Sequence, residues 1–208
     1  MQEPLSVLFS LGNLWAHASG LRKLRNSVPP SYPLRPYYER FAQIAIAAWV
    51  FSSIFHTRDF PFTEELDYFA AGASVLYSLY YALVRIFRLD RPSRRRKNAS
   101  LLRTWTWTCR LLFAAHVLYL KGVKWDYTYN MSANVVVGGL NNLLWSWFSW
   151  RTYRTSRRPW AAWPGIVVAW IVMAMSLELL DFPPLWGSLD AHALWHAATI
   201  APAVIWYK

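Results

Sequence analysis

The sequence predicts an all-α, polytopic membrane protein built as a seven-transmembrane helix bundle. Three observations carry that prediction. Of 208 residues, 55% are apolar and only 16% charged; apolar stretches of spanning length recur along the whole chain; and Lys and Arg concentrate in alternate loops. A spanning helix takes about 20 mostly apolar residues, and such stretches fall at 4–20, 41–57, 66–87, 104–120, 130–150, 161–181 and 189–206. The first carries Asn13, His17 and Gly20, so a helix that only dips into the membrane, leaving six crossings, is the alternative there. Connections are short and no internal repeat is evident, so residues 1–208 read as one domain. No basic region precedes the first apolar run, so no cleavable signal peptide is expected and the helices themselves drive insertion.

The formal charge of +11 raises nucleic acid as a partner, and its distribution argues against one. Residues 21–40 hold Arg22, Lys23, Arg25, Arg35 and Arg40; residues 85–103 hold eight more, including Arg94, Arg95, Arg96 and Lys97; residues 151–158 hold Arg151, Arg154, Arg157 and Arg158. The intervening loops contain only Arg58, Lys121 and Lys124, together with nine of the eleven acids (Glu3, Asp59, Glu64, Glu65, Asp67, Asp126, Glu178, Asp181 and Asp190). Cytoplasmic loops carry the excess of Lys and Arg, so the first, third and fifth loops face the cytoplasm. The N-terminus is then lumenal or extracellular and the C-terminus cytoplasmic. No nucleic acid is needed to explain the charge, and the expected partners are membrane lipids. Trp105, Trp107, Trp145, Trp147 and Trp150 fall at the cytoplasmic level and read as an interfacial belt. The single cysteine, Cys109, excludes an internal disulfide and reads as a small buried hydrophobe.

Ionisable groups in hydrocarbon are costly and by default mark function. Ser52 and His56 stand four residues apart at the end of the second helix, and His192 and His196 stand four apart at the start of the seventh. Each pair therefore shares one helix face. Asp67 opens the third helix, and Glu178 and Asp181 close the sixth. All lie at non-cytoplasmic helix ends, so residues more than a hundred positions apart converge on one membrane depth. Three imidazoles with an open position make a catalytic zinc site. Here His56, His192 and His196 would hold Zn²⁺, Asp67 would orient or deprotonate water, and Ser52 would donate to an oxyanion. Bis-histidine haem ligation and simple interhelical hydrogen bonding remain open for the His-x-x-x-His pair. His116 reads as a polar contact inside the bundle, and His17 lies on the wrong side of the membrane. Glu178 and Asp181 suit an outer role, steadying the sixth helix against the site. Asn134, Asn141, Asn142 and the Gly138–Gly139 pair read as close helix packing with polar glue.

Several segments resemble the post-GPI-attachment phospholipase (Per-one-like) family: Gln2-Glu3-Pro4 with Ser6-Val7-Leu8-Phe9-Ser10, Phe51 to Asp59 with Glu65-Leu66-Asp67-Tyr68, and Leu180 to Pro184 with Asp190 to His196. That family belongs to the CREST superfamily of membrane hydrolases, with alkaline ceramidases and adiponectin-type receptors. The resemblance runs nearly the whole chain. It implies a phospholipase A2-type hydrolase that removes the sn-2 acyl chain from GPI-anchored proteins, in the endoplasmic reticulum or Golgi membrane, with its active site lumenal. It also implies that the superfamily's Ser, Asp and three zinc-binding histidines fall on Ser52, Asp67, His56, His192 and His196. The lumenal cysteine-rich region usual before the first helix of such proteins is expected to be absent here. The alternatives are a ceramidase-like amidase using the same metal, and a non-enzymatic receptor or transporter whose histidines and carboxylates pass protons or bind a ligand.

Overall fold

The structure is a computed structural model describing residues 3–91, 95–179, 182–185 and 189–207, with backbone only at 95–97. Asp181 and the side chains of the Arg94–Lys97 run lie outside the described residues. Seven α-helices run along the chain: α1 Pro4–Ser27, α2 Arg35–Thr57, α3 Pro61–Ile86, α4 Arg95–Gly122, α5 Tyr127–Ser156, α6 Trp163–Leu179 and α7 Ala191–Trp206. A 3₁₀ turn, Pro159–Ala162, leads into α6. No strand longer than the single Leu185–Leu189 bridge occurs among the described residues.

The helix starts follow local chemistry. Pro occupies the first turn of α1, α2 and α3, where its missing N–H leaves no partner unsatisfied. Asp126 and Asp190 cap α5 and α7 by accepting from the backbone N–H of Tyr129 (3.0 Å) and Ala193 (2.7 Å). Most helices outrun the apolar stretches that announced them, because the polar flanks also have helical propensity. α1 is one unbroken 24-residue helix, about 36 Å long by helix rise, long enough for a 30 Å hydrocarbon core. α3 begins at Pro61, where Phe60 N–H donates to Thr63 Oγ1 (2.9 Å). Asp67 therefore lies nearly two turns inside α3 and does not open it.

Packing partners define the architecture. α1 contacts α2, α2 contacts α3, α3 contacts α5, α5 contacts α6, α6 contacts α7, and α7 returns to α1. These six helices close a ring, and α4 packs outside it against α3. Its outer surface is apolar: Leu8, Leu11, Trp15, Leu111, Leu118, Leu143, Trp150, Val172 and Met173 are all exposed. Unbroken exposed apolar surface of this kind belongs to a helical membrane protein. By length and composition alone, α3 and the Pro159–Leu179 segment are apolar enough to cross a membrane among the described residues. α7, at 16 residues, is shorter than a full span, and the others mix inward polar groups or basic ends into their length.

The seam between α1 and α7 closes the ring and is unusually tight. Gly12, Ala16 and Gly20 repeat every fourth residue of α1, the small-residue spacing that lets helix backbones approach. A Cβ on Gly12 would meet Ile200 Cδ1 at 2.6 Å, and one on Gly20 would collide with the Tyr207 ring. The polar residues that made α1 the least apolar stretch face inward: Ser6, Ser10, Asn13 and His17 are all buried.

Trp145 departs from the expected interfacial belt. It is 3% exposed and packs edge-on to Trp206, with ring centroids 4.8 Å apart, while Tyr81 lies beside it at 5.9 Å. Its side chain faces the ring interior, whereas Trp107, Trp147 and Trp150 face outward. Arg110 lies over the Trp107 ring at 5.2 Å, directed a turn toward the basic end of α4.

Candidate metal centre

The helical register of α2 and α7 brings the paired residues to one mouth of the ring. Ring centroids of His56 and His192 stand 5.1 Å apart, of His56 and His196 5.0 Å, and of His192 and His196 4.5 Å. One nitrogen from each imidazole lies within 4.8 Å of the other two. His56 and His196 are buried and His192 half-buried. The structure thus brings His56, His192 and His196 together, with Ser52 one helical turn below His56 and Asp67 on the wall of the same cavity.

The hydrogen bonds on the far side of each ring identify which nitrogen faces the centre. His56 Nδ1 bonds Glu3 Oε2 at 2.7 Å, and His192 Nδ1 bonds Glu178 Oε2 at 2.6 Å. His196 Nδ1 lies 2.9 Å from Ser10 Oγ and 3.3 Å from the Ser6 carbonyl oxygen. Carboxylates and carbonyls accept, so each Nδ1 carries the proton and donates. In the neutral ring each Nε2 then keeps a lone pair free to coordinate. His56 Nε2 is buried without a hydrogen-bond partner, a costly state for a polar atom unless something binds there. Three neutral imidazoles, each held from behind by an acceptor, are a donor set that suits a divalent zinc-like cation. The hydrogen bond to His56 also holds the Glu3 carboxyl below the usual carboxylate range, keeping it an acceptor.

Charge at the mouth favours the same cation. Glu3, Asp67, Glu178 and Asp190 line the cavity, and no Lys or Arg does among the described residues. The backbone ties the elements together, with Glu3 N–H donating to the His56 carbonyl (3.2 Å) and Asn13 Nδ2 donating to that of His196 (2.7 Å).

Behind the histidines the ring lines a partly open cavity of ≈ 980 Å³. All six ring helices line it and α4 does not. Its lining runs along α1 from Glu3 to His17, about 20 Å by helix rise, which exceeds the roughly 15 Å half-thickness of a hydrocarbon core. Tyr81, Trp145 and Trp206 lie at its far end, and His17 is held there by Tyr207 (Nδ1 to hydroxyl, 3.0 Å). Asn134, Asn141, Asn142 and the two glycines face this cavity. A Cβ on Gly139 would meet nothing within 4 Å, so that glycine faces open space where close helix packing was expected, whereas one on Gly138 would lie 3.8 Å from Val75 Cγ1 of α3. His116 lies elsewhere, between α3, α4 and α5, with Nδ1 3.4 Å from the Tyr129 hydroxyl.

Sequence reasoning met Glu3 and Ser10 in the family-like segments at the start of the chain, and Glu3 also as an acid on the lumenal side, but gave neither a place at the site. The Gly12, Ala16, Gly20 spacing was the available signal: it sets α1 against α7 and hence the residues of α1 against His196.

Fold and site together define a helical bundle of membrane-protein build, with a cation-type histidine cluster at the mouth of a lipid-sized apolar chamber. The profile of the Per1-like family matches residues 1–208, and the chain belongs to that family. It is 42% identical over 204 residues to the protein PER1 homolog of Schizosaccharomyces pombe, covering 96% of this chain and 59% of that protein. It is 41% identical over 210 residues to a protein of Cricetulus griseus named GPI-specific phospholipase A2-like PGAP3, and 38% identical over 208 residues to the Homo sapiens protein of that name. Each of these two alignments covers 100% of this chain and 62% of the relative. The chain therefore spans about three-fifths of the length of these curated relatives. No solved structure matches it.

Proposed function

We propose that the chain is the catalytic bundle of a zinc-dependent hydrolase that removes the sn-2 acyl chain from GPI lipids. The observation that carries this reading is the meeting of three imidazoles, one nitrogen of each within 4.8 Å of the other two and each Nδ1 held by its own acceptor. The names of the PGAP3 relatives support the substrate, and the apolar chamber beside the histidines supports a lipid.

In this reading His56, His192 and His196 would hold the cation, which would supply Lewis acidity, lowering the pKa of a water to about 7 and polarising an ester carbonyl. Asp67 takes the proton of the attacking water and returns it to the departing glycerol oxygen. Ser52 donates its hydroxyl hydrogen to the oxygen that gains charge on the tetrahedral carbon. The chamber takes the acyl chain and keeps bulk water from it. All seven helices cross the membrane, with the histidine mouth lumenal and the C-terminus cytoplasmic, in the endoplasmic reticulum or Golgi. The acid-rich mouth and the basic opposite loops support that orientation.

The test is rescue of GPI-lipid remodelling in cells lacking the activity, comparing wild type with His56→Ala, alongside zinc content of the purified proteins. Rescue by wild type alone, with stoichiometric zinc lost in His56→Ala, is expected. Equal rescue by both, or an active metal-free protein, overturns the proposal. Release of fatty acid from ceramide but not from GPI would replace the ester substrate with an amide.

A further inference from the structure

Ser10 is fully buried at 0% exposure and sits behind the cavity wall, so it cannot touch substrate. Its hydroxyl nevertheless bridges two residues assigned chemistry: Oγ lies 2.9 Å from His196 Nδ1 and 3.1 Å from Ser52 Oγ. The direction of these bonds follows from their partners. His196 Nδ1 also reaches the Ser6 carbonyl oxygen at 3.3 Å; a carbonyl only accepts, so Nδ1 bears the hydrogen and donates to Ser10. The proton of Ser10 then has one hydrogen-bonding partner among the described residues, Ser52 Oγ. Ser52 accepts it, and its own proton is left for the cavity that it lines.

We propose that Ser10 is a positioning residue that couples the imidazole of His196 to Ser52, setting Ser52 as a hydrogen-bond donor into the cavity. The inference rests on the proposed hydrolase reading and gives the physical reason for the donor role which that reading assigns to Ser52. A Ser52 whose lone pair is engaged by Ser10 and whose proton points outward serves an oxyanion better than it serves as a nucleophile. Hydrogen bonds in a chain polarise one another. With a cation held by its ring, His196 would be a stronger donor through Nδ1–H, and Ser10 would pass that change to Ser52. Cation occupancy and oxyanion donation are thereby linked through one hydroxyl.

Two readouts on the full chain in detergent test this. In chelator competition, Ser10→Ala should weaken zinc retention about tenfold, the low end for loss of an outer hydrogen-bond partner, while Ser52→Ala leaves it unchanged. In ester turnover, Ser10→Ala should lower kcat with KM preserved, and the Ser10→Ala/Ser52→Ala double variant should match Ser52→Ala within about twofold. Losses that add, or zinc retention untouched by Ser10→Ala, overturn the coupling. If Ser10→Ala does not fold, Ser10→Cys takes its place, since it has similar volume but is a weak donor and acceptor. Recovery of both readouts by Ser10→Cys would show packing alone and sink the proposal. A wild type that holds no zinc would remove the hydrolase reading itself, whereas zinc-loaded wild type with additive losses removes only the role of Ser10.

Discussion

His192 Nδ1 donates to Glu178 Oε2 across 2.6 Å, from the first turn of α7 to the last turn of α6. The bond spans the turn between the two helices and orients the most exposed of the three imidazoles. Carboxylate partners of this kind typically change metal affinity by 10–100-fold. Glu178→Ala is expected to lower zinc affinity within that range while leaving the helical content intact. Chelator competition followed by circular dichroism checks both, and unaltered zinc affinity would deny the carboxylate this role.

In the proposed reading Asp67 serves turnover and not metal binding. It shares the cavity with the histidines but does not belong to their cluster. Asp67→Asn should keep stoichiometric zinc and lose turnover by about 10² to 10⁴, the usual contribution of a general acid–base group. Elemental analysis and an ester-release assay on one preparation decide the matter; turnover at the wild-type rate would refute proton transfer by Asp67.

Trp145 closes the far end of the chamber against Trp206. Trp145→Leu should lengthen the acyl chain that can be accommodated, and mass spectrometry of the released fatty acids should shift toward longer species. The same change costs packing, about 1–3 kcal/mol for a shape-altering core substitution, visible as a lower melting temperature in detergent. A melting shift with an unmoved chain-length profile would place the substrate elsewhere.

Gly20 permits the Tyr207 ring to reach His17. Gly20→Ala should force that ring aside and destabilise the α1–α7 seam by about 1–3 kcal/mol, as overpacking does. Gly139→Ala, with nothing within 4 Å of the added carbon, is the matched control and should leave the melting temperature nearly unchanged. Equal melting of the two variants would mean that the seam tolerates the extra carbon.

The helices were legible because hydropathy and length mark them, and the face shared by Ser52 and His56, or by His192 and His196, follows from helical period alone. The meeting of those two faces was inferred from a common membrane depth, and the structure supplies the distances. Ring order was not legible: α3 meeting α5, and α7 meeting α1, depend on side-chain fit between segments far apart in sequence. Ser10 lies 186 positions from His196, and no local pattern announces such a bond. Trp145 misled because tryptophan at a helix end suits both an interfacial belt and a core, and only packing against Tyr81 and Trp206 separates the two.

Because α1 and α7 are neighbours in the ring, the histidine cluster straddles the place where the two ends of the bundle meet. During synthesis, a nascent chain that has made its first six helices holds just one of the three imidazoles. In the proposed reading the cation site forms only once α7, which carries two of the three imidazoles, docks against α1. Metal uptake would thus report the docking of α7, and a chain halted before Asp190 would leave the ribosome unable to acquire the cation.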